Sequence, residues 1–374
     1  MAEKSIWIAL SDDWELRGNG LGDVGTLQFD TALRLMDCYD SLGVTGTFNV
    51  EVMQQIAFER YQDRYEDISR QSALWRKAVG EMARRGYDVQ LHTHPQWHGA
   101  EFDGRRWRLN RRWDITKYSP DEIDGFIRDG IAFLAQFVPR EDLVSFRSGS
   151  WGLGPPSRAL IEALIRNGIK LDVSIVAGLV YRGECIALDY TALECPYEPY
   201  YPDLDDARKL SAHPHGLVEI PTQSVPLAKV LGMQAPITRL REVVKPLVRG
   251  ARYFATACRH RLSGRATDPF EAPLSPFGIW SRSDFVMDFS VRRPLHHWLK
   301  AIDLVVERFD HSATPAFLVF ENHTKDLVKS SDFDRIFSIL KHMQDRFGER
   351  IEFVHLKKMA RHLDLLTPRL AKSP

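Results

Sequence analysis

Residues 5–13 read Ser-Ile-Trp-Ile-Ala-Leu-Ser-Asp-Asp. The run Ser5–Ser11 is apolar and β-prone, so it predicts a strand, and the carboxylates of Asp12 and Asp13 fall at its carboxyl end. Two adjacent carboxylates repel, so a metal, an arginine or a shared proton has to offset them. From this strand onward the chain alternates helix and strand, and that alternation decides the fold. Helix is expected over Thr26–Leu42, stopped by Gly43, over Ser72–Arg85, over Pro120–Val138 with Ser119 as cap, and from Pro156 to the stop at Gly168. Strands are expected at Thr45–Val50, Asp88–His94, Leu143–Gly149, Leu171–Val176, Leu217–Thr222, Thr314–His323 and Ile351–Leu356. Strands that alternate with helices pair in parallel, and seven or eight such units predict an α/β fold with a distorted (β/α) barrel. An open nucleotide-binding sheet would carry a glycine-rich phosphate loop after its first strand, and neither G-x-G-x-x-G nor a P-loop is present.

The 374 residues read as one domain, 1–374, in which residues 223–311 interrupt the rhythm as an insertion, a lid or a surface module. Within the insertion Pro236–Arg265 is basic and interleaved with apolar residues. One reading is a helix face packed on the barrel; the other is a surface for anionic lipid at a membrane or for an anionic sugar polymer. With 50 basic and 50 acidic residues the chain has no net charge, which gives no pointer to nucleic acid. The apolar run near the start is too short for an export signal, so a cytoplasmic location is expected. The four cysteines are scattered without C-x-x-C spacing and read as free thiols.

Reactive side chains collect at the predicted strand ends, which in an α/β barrel share one face. They are Asp12-Asp13, His92-Thr93-His94 with His98 beyond, Arg147-Ser148-Gly149-Ser150-Trp151, Asp172 with Ser174, and Glu321-Asn322-His323-Thr324-Lys325. In an extended strand His92 and His94 point the same way about 6 to 7 Å apart, close enough to share an ion. Asp13 would complete a two-histidine, one-carboxylate set with open positions. His98 is the alternative ligand, since His94 and His98 meet if the loop makes a helical turn. A cation with open positions acidifies water, Asp12 would take its proton, Arg147 would orient Asp12, and His323 would protonate a leaving group. Structural salt bridges and core histidines are the plain alternatives for Arg147 and His323.

In this order the motifs resemble the polysaccharide deacetylase family, the NodB-homology or carbohydrate esterase family 4 group. Its first motif, Thr-Phe-Asp-Asp, is similar to Leu10-Ser11-Asp12-Asp13. Its second, His-Ser/Thr-x-x-His-Pro, looks shortened to His92-Thr93-His94-Pro95. Its third is matched by Arg147–Trp151, its fourth loosely by Asp172 and Ser174, and its fifth by Phe320–His323. The resemblance implies a distorted barrel and a divalent metal, commonly zinc, with nickel, cobalt or manganese as alternatives. It implies Asp12 as base, Asp13 as metal ligand, His323 as acid, and Trp151 as a wall of the sugar site. Trp97, Trp107 and Trp113 lie near the motif loops, where they would stack on sugar or simply pack. The expected activity is removal of an acetyl group from an N- or O-acetylated sugar in polysaccharide or lipopolysaccharide biosynthesis. The alternatives are an allantoinase-like hydrolase of a non-sugar amide, and a non-catalytic carbohydrate- or lipid-binding protein on a vestigial site.

Overall fold

A computed structural model describes residues 6–182, 185–232, 280–282, 284–309, 315–363 and 368–371. Its main sheet has eight strands: β1 (Ile6–Trp14), β2 (Thr47–Glu51), β3 (Asp88–Thr93), β4 (Ser145–Ser148), β5 (Leu171–Asp172), β6 (Val218–Glu219), β7 (Ala316–His323) and β8 (Ile351–Phe353). The order is β6-β5-β4-β3-β2-β1-β7, every pairing is parallel, and β8 joins β1 beside Ile6–Ile8. The two edges of the sheet meet just beyond β6, where Thr222 bridges in parallel to both Val176 and Val319. There the amide of Gln223 donates to Val319 O at 3.0 Å. The sheet is therefore curled into the distorted (β/α) barrel that the alternation predicts.

Helices cover the outside, among them Asp30–Leu42, Glu66–Arg84, Pro120–Leu134, Arg158–Arg166, Leu295–Glu307 and Ser330–Phe347. Ser119 caps the third of these: its hydroxyl accepts from Glu122 N at 3.3 Å, and the Glu122 carboxylate accepts from Ser119 N at 2.8 Å. The first helix opens with a π turn, Gly25–Phe29, and stops at Gly43, whose φ of 62° suits glycine.

Strand alternation makes two cores. In β1 the side chains of Trp7 and Ala9 join Val173, Ile220, Phe317 and Val319 in one cluster, the apolar plug of the lumen. Ile6, Ile8, Leu10 and Trp14 join the cluster that runs through the helical layer with Leu35, Met36 and Tyr39. Burying each such large side chain stabilises the fold by roughly 1.5–3 kcal/mol. The strand reaches Trp14, three residues past the expected end at Ser11, because its pairing with β2 continues to Trp14↔Val50. Asp12 and Asp13 therefore lie inside β1 and must point to opposite faces.

The centre of the 223–311 insertion, with the basic run Pro236–Arg265, lies outside the described residues. Its two ends belong to the barrel wall. Ser224–Val225 pairs antiparallel with Phe285–Val286, and Asp288 bridges in parallel to Glu321 of β7. Among the described residues no helix is long and apolar enough to cross a membrane.

Candidate active site

The lumen face of β1 continues from Ala9 through Ser11 and Asp13 to Glu15, one residue past the strand. Glu15 Oε2, His92 Nε2 and His94 Nε2 converge there, with the ligand atoms within 4.8 Å of one another. All three residues are buried, and these three atoms have no partner outside the cluster, His94 Nε2 and Glu15 Oε2 meeting only each other. Buried polar atoms normally find partners beyond one another, so a carboxylate and two imidazoles turned inward on one point fit a divalent cation. The outer nitrogens are held: His92 Nδ1 lies 2.8 Å from Arg147 O, and His94 Nδ1 lies 2.8 Å from Gln96 Nε2. Such contacts fix ring orientation in metal sites. Burial alone would pull both rings down; it wins at His94, whereas at His92 the Asp13 and Glu15 carboxylates outweigh it.

Asp13 lies beside this cluster. Asn49 Nδ2 donates to its Oδ1 at 2.9 Å and Arg147 Nε to its Oδ2 at 3.2 Å. Burial pushes the Asp13 carboxyl up, but Arg147, His92 and His323 more than offset this and hold it below the usual carboxylate range. The Arg147 guanidinium is fully buried and also donates to Glu321 Oε2, to Val173 O and, at 3.1 Å, to Thr222 Oγ1. His323 faces Asp13 across the β1–β7 register, with Nε2 3.7 Å from Asp13 Oδ2. Its Nδ1 is 3.2 Å from Asp288 Oδ2, while Asp288 Oδ1 accepts from Ser290 N at 3.0 Å and Ser290 Oγ at 2.5 Å. Burial pulls the His323 imidazole down, yet Asp288 reverses this and leaves it above its ordinary value.

The Trp151 ring stands edge-on to His323, with centroids 5.5 Å apart. Its backbone and that of Ser150 are both left-handed, with φ 57° and 56°. Non-glycine residues in that region are strained, and such strain collects at functional loops. The peptide is held by Tyr190, whose hydroxyl donates to Trp151 O at 2.5 Å. Gly149 lies against the histidine strand: a Cβ there would meet Thr93 O at 2.5 Å and His94 Cγ at 2.8 Å.

Several expectations need correction. Arg147 does not orient Asp12. Asp12 faces the helical layer, where Tyr39 Oη donates to Oδ1 at 3.0 Å and Asn322 Nδ2 donates to Oδ1 at 2.6 Å. Burial pushes its carboxyl up to about 7 against those two hydrogen bonds. Asp13 is held by Arg147 and Asn49, and Glu15 takes the place expected for it between the histidines, because period-two alternation carries the lumen face from Asp13 to Glu15. His98 stays out of the cluster: it is exposed, with its ring 5.0 Å from Phe126. Trp97 is buried among Phe58 and Trp107. Asp172 is buried as well. It lies on the face of β5 opposite Leu171 and Val173, bonded by Ser174 Oγ at 2.6 Å and set against Glu219 in the β5–β6 register. Sequence reasoning missed Glu15 and Asp288, and it placed Glu321 and Lys325 at a strand end without giving either a role; the Lys325 amine donates to Glu15 Oε1. The Asp13-x-Glu15 spacing carries the same i, i+2 signal as His92-x-His94 and would have found the first of them.

No family model matches the sequence. No curated protein matches it. Solved structures do. One from Mycobacterium smegmatis, described as a polysaccharide deacetylase, superposes with a TM-score of 0.53 at 12% identity, over 100% of this chain and 95% of its own. The PuuE allantoinase gives a TM-score of 0.49 at 9% identity, over 98% of this chain and 93% of its own. A protein of Pseudomonas aeruginosa PAO1 described as a polysaccharide deacetylase gives 0.48 at 11% identity, over 98% and 93%. At such identities the likeness is one of architecture: the chain has the distorted (β/α)-barrel fold of the polysaccharide deacetylases.

Proposed function

We propose that this protein is a metal-dependent deacetylase of an N- or O-acetylated sugar, working in polysaccharide or lipopolysaccharide biosynthesis. The observation that carries the reading is the convergence of Glu15, His92 and His94, whose ligand atoms turn toward one another and have no partner outside the cluster, beside Asp13 and His323. A nitrogen-rich set of two imidazoles and one carboxylate suits zinc best. When bound, the cation supplies Lewis-acid character to water and to the acetyl carbonyl.

The chain's own residues supply the rest. Asp13, kept ionised by Arg147, takes the proton of the attacking water. Its lowered basicity is offset by position, since it adjoins the metal ligands and needs no reorientation. Glu321 shares the Arg147 guanidinium with Asp13, so the arginine is braced from both sides. His323, whose hold on its proton Asp288 strengthens, donates to the leaving amine or alcohol of the sugar. Trp151 flanks His323 and offers a ring face to the sugar.

Two measurements test the reading. Purified protein should carry close to one equivalent of zinc or a similar cation by elemental analysis. It should release acetate from members of a panel of N- and O-acetylated sugars, and chelation should stop the release. Metal-free protein that still releases acetate would refute the metal role, and failure on every acetylated sugar would refute the substrate class.

A further inference from the structure

Glu15 answers to two cations. Its Oε2 faces the two imidazoles, and its Oε1 accepts a hydrogen bond from Lys325 Nζ. Lys325 lies two residues past His323, in the short 3₁₀ turn Thr324–Asp326 that leaves β7. The β1–β7 register sets Asp13 against His323, and continuing it by two residues brings Glu15 against Lys325. The Glu15 side chain is 4% exposed and that of Lys325 is 18% exposed, so the carboxylate is enclosed while the amine keeps an edge to water.

A carboxylate enclosed this way needs partners, and in the metal-free protein these are the His94 ring at Oε2 and the ammonium at Oε1. Arg147 cannot serve, because its rigid fork is already spent on Asp13 and Glu321. Lysine differs from it in carrying a compact charge on a flexible stem that can swing away. The triad of ligands brings a single negative charge, and Lys325 neutralises it. A divalent cation at Oε2 would then share one carboxylate with an ammonium, and like charges in an enclosed site repel strongly. Asp326, next in the chain and exposed, places a further negative charge near the amine at the rim.

We propose that Lys325 is the resident counter-ion of Glu15 in the metal-free protein and that an incoming divalent cation displaces it toward solvent. The lysine keeps the empty site intact and sets the cation affinity below what the three ligands alone would give. This rests on reading Glu15, His92 and His94 as a metal centre.

The test uses the full chain, stripped of metal, and zinc as the probe. Calorimetric titration of wild type and Lys325→Met should show the variant binding zinc at least tenfold more tightly. The stripped variant should melt below stripped wild type, and zinc should close the gap. In wild type, acetic anhydride should modify Lys325 faster with zinc bound than without it, read by peptide mass. Equal or weaker zinc binding by the variant would overturn the proposal while leaving the metal centre standing. So would Lys325 labelling that zinc does not change, which decides the matter even if the variant fails to fold. Absence of zinc binding by wild type would refute the metal centre itself.

Discussion

Asp13 and His323 sit opposite each other in the parallel register of β1 and β7, with carboxylate oxygen and imidazole nitrogen 3.7 Å apart. In the proposed reaction these two are base and acid, and a carboxylate and an imidazole on adjacent strands, each with its own partner, suit the movement of protons across one small space. Asp13→Asn should therefore lower the rate of acetate release by about 10² to 10⁴, the usual range for losing a general base. It should leave zinc content near that of wild type. Asp12→Asn should stay within a few-fold of wild type in both respects. Zinc loss in Asp13→Asn with retention in Glu15→Gln would mean that the two carboxylates have each other's roles.

Glu15→Ala and His94→Ala should each empty the metal centre. Their zinc dissociation constants should rise by well over tenfold, because each removes one of three ligands from a preformed set. His98→Ala should bind zinc like wild type, since His98 packs on Phe126 at the surface. Elemental analysis of the four proteins after one chelation and reloading step checks all of this.

Asp288→Asn should act through His323. Asp288 is what raises the imidazole against the pull of burial. Without it the ring loses its proton at lower pH, so the alkaline limb of the kcat/KM profile should move to lower pH. An unchanged limb in Asp288→Asn would assign that limb to another group.

Asp12 gives a separate pH signature, in stability. Its folded-state value of about 7 lies above the ordinary 3.8. Between those values the folded chain holds one more proton than the unfolded chain, so stability falls as pH rises, by about 1.4 kcal/mol per unit at most. Denaturant midpoints of wild type should therefore drop from about pH 5 to pH 7 more steeply than those of Asp12→Asn, which has no proton to lose. Parallel slopes would place the titration elsewhere.

Gly149→Ala should cost roughly 1–3 kcal/mol of stability, the range for forcing a methyl into a packed site. The new Cβ would press on Thr93 O and on the His94 ring. Zinc affinity should fall along with the unfolding free energy, which separates this variant from ordinary core overpacking.

Much of the barrel and half of the candidate site were legible in the sequence, and for one reason: regular elements have fixed periods. The helix–strand alternation gave the barrel, and the i, i+2 spacing gave His92 and His94 a common face. Arg147 and His323 fell at strand ends for the same reason. The division of labour around Asp12 and Asp13 was not legible, because it depends on where β1 stops. Ending the strand at Ser11 leaves both carboxylates in a loop, free to face one site; running it to Trp14 sends them apart. That extension is fixed by pairing with Thr47–Val50 of β2, a contact distant in sequence. Asp288 was hidden differently. It reaches His323 from an irregular segment near the end of the long insertion, where no period points to it.

Ser150 and Trp151 leave an engineering consequence. Two consecutive left-handed residues without glycine hold the tryptophan against His323. Glycine at 150 would relax the backbone and loosen that wall, and glycine at 151 would relax it and remove the wall altogether. Selection for a hardier variant of this protein would thus tend to erode the loop first, trading catalytic poise for shelf life.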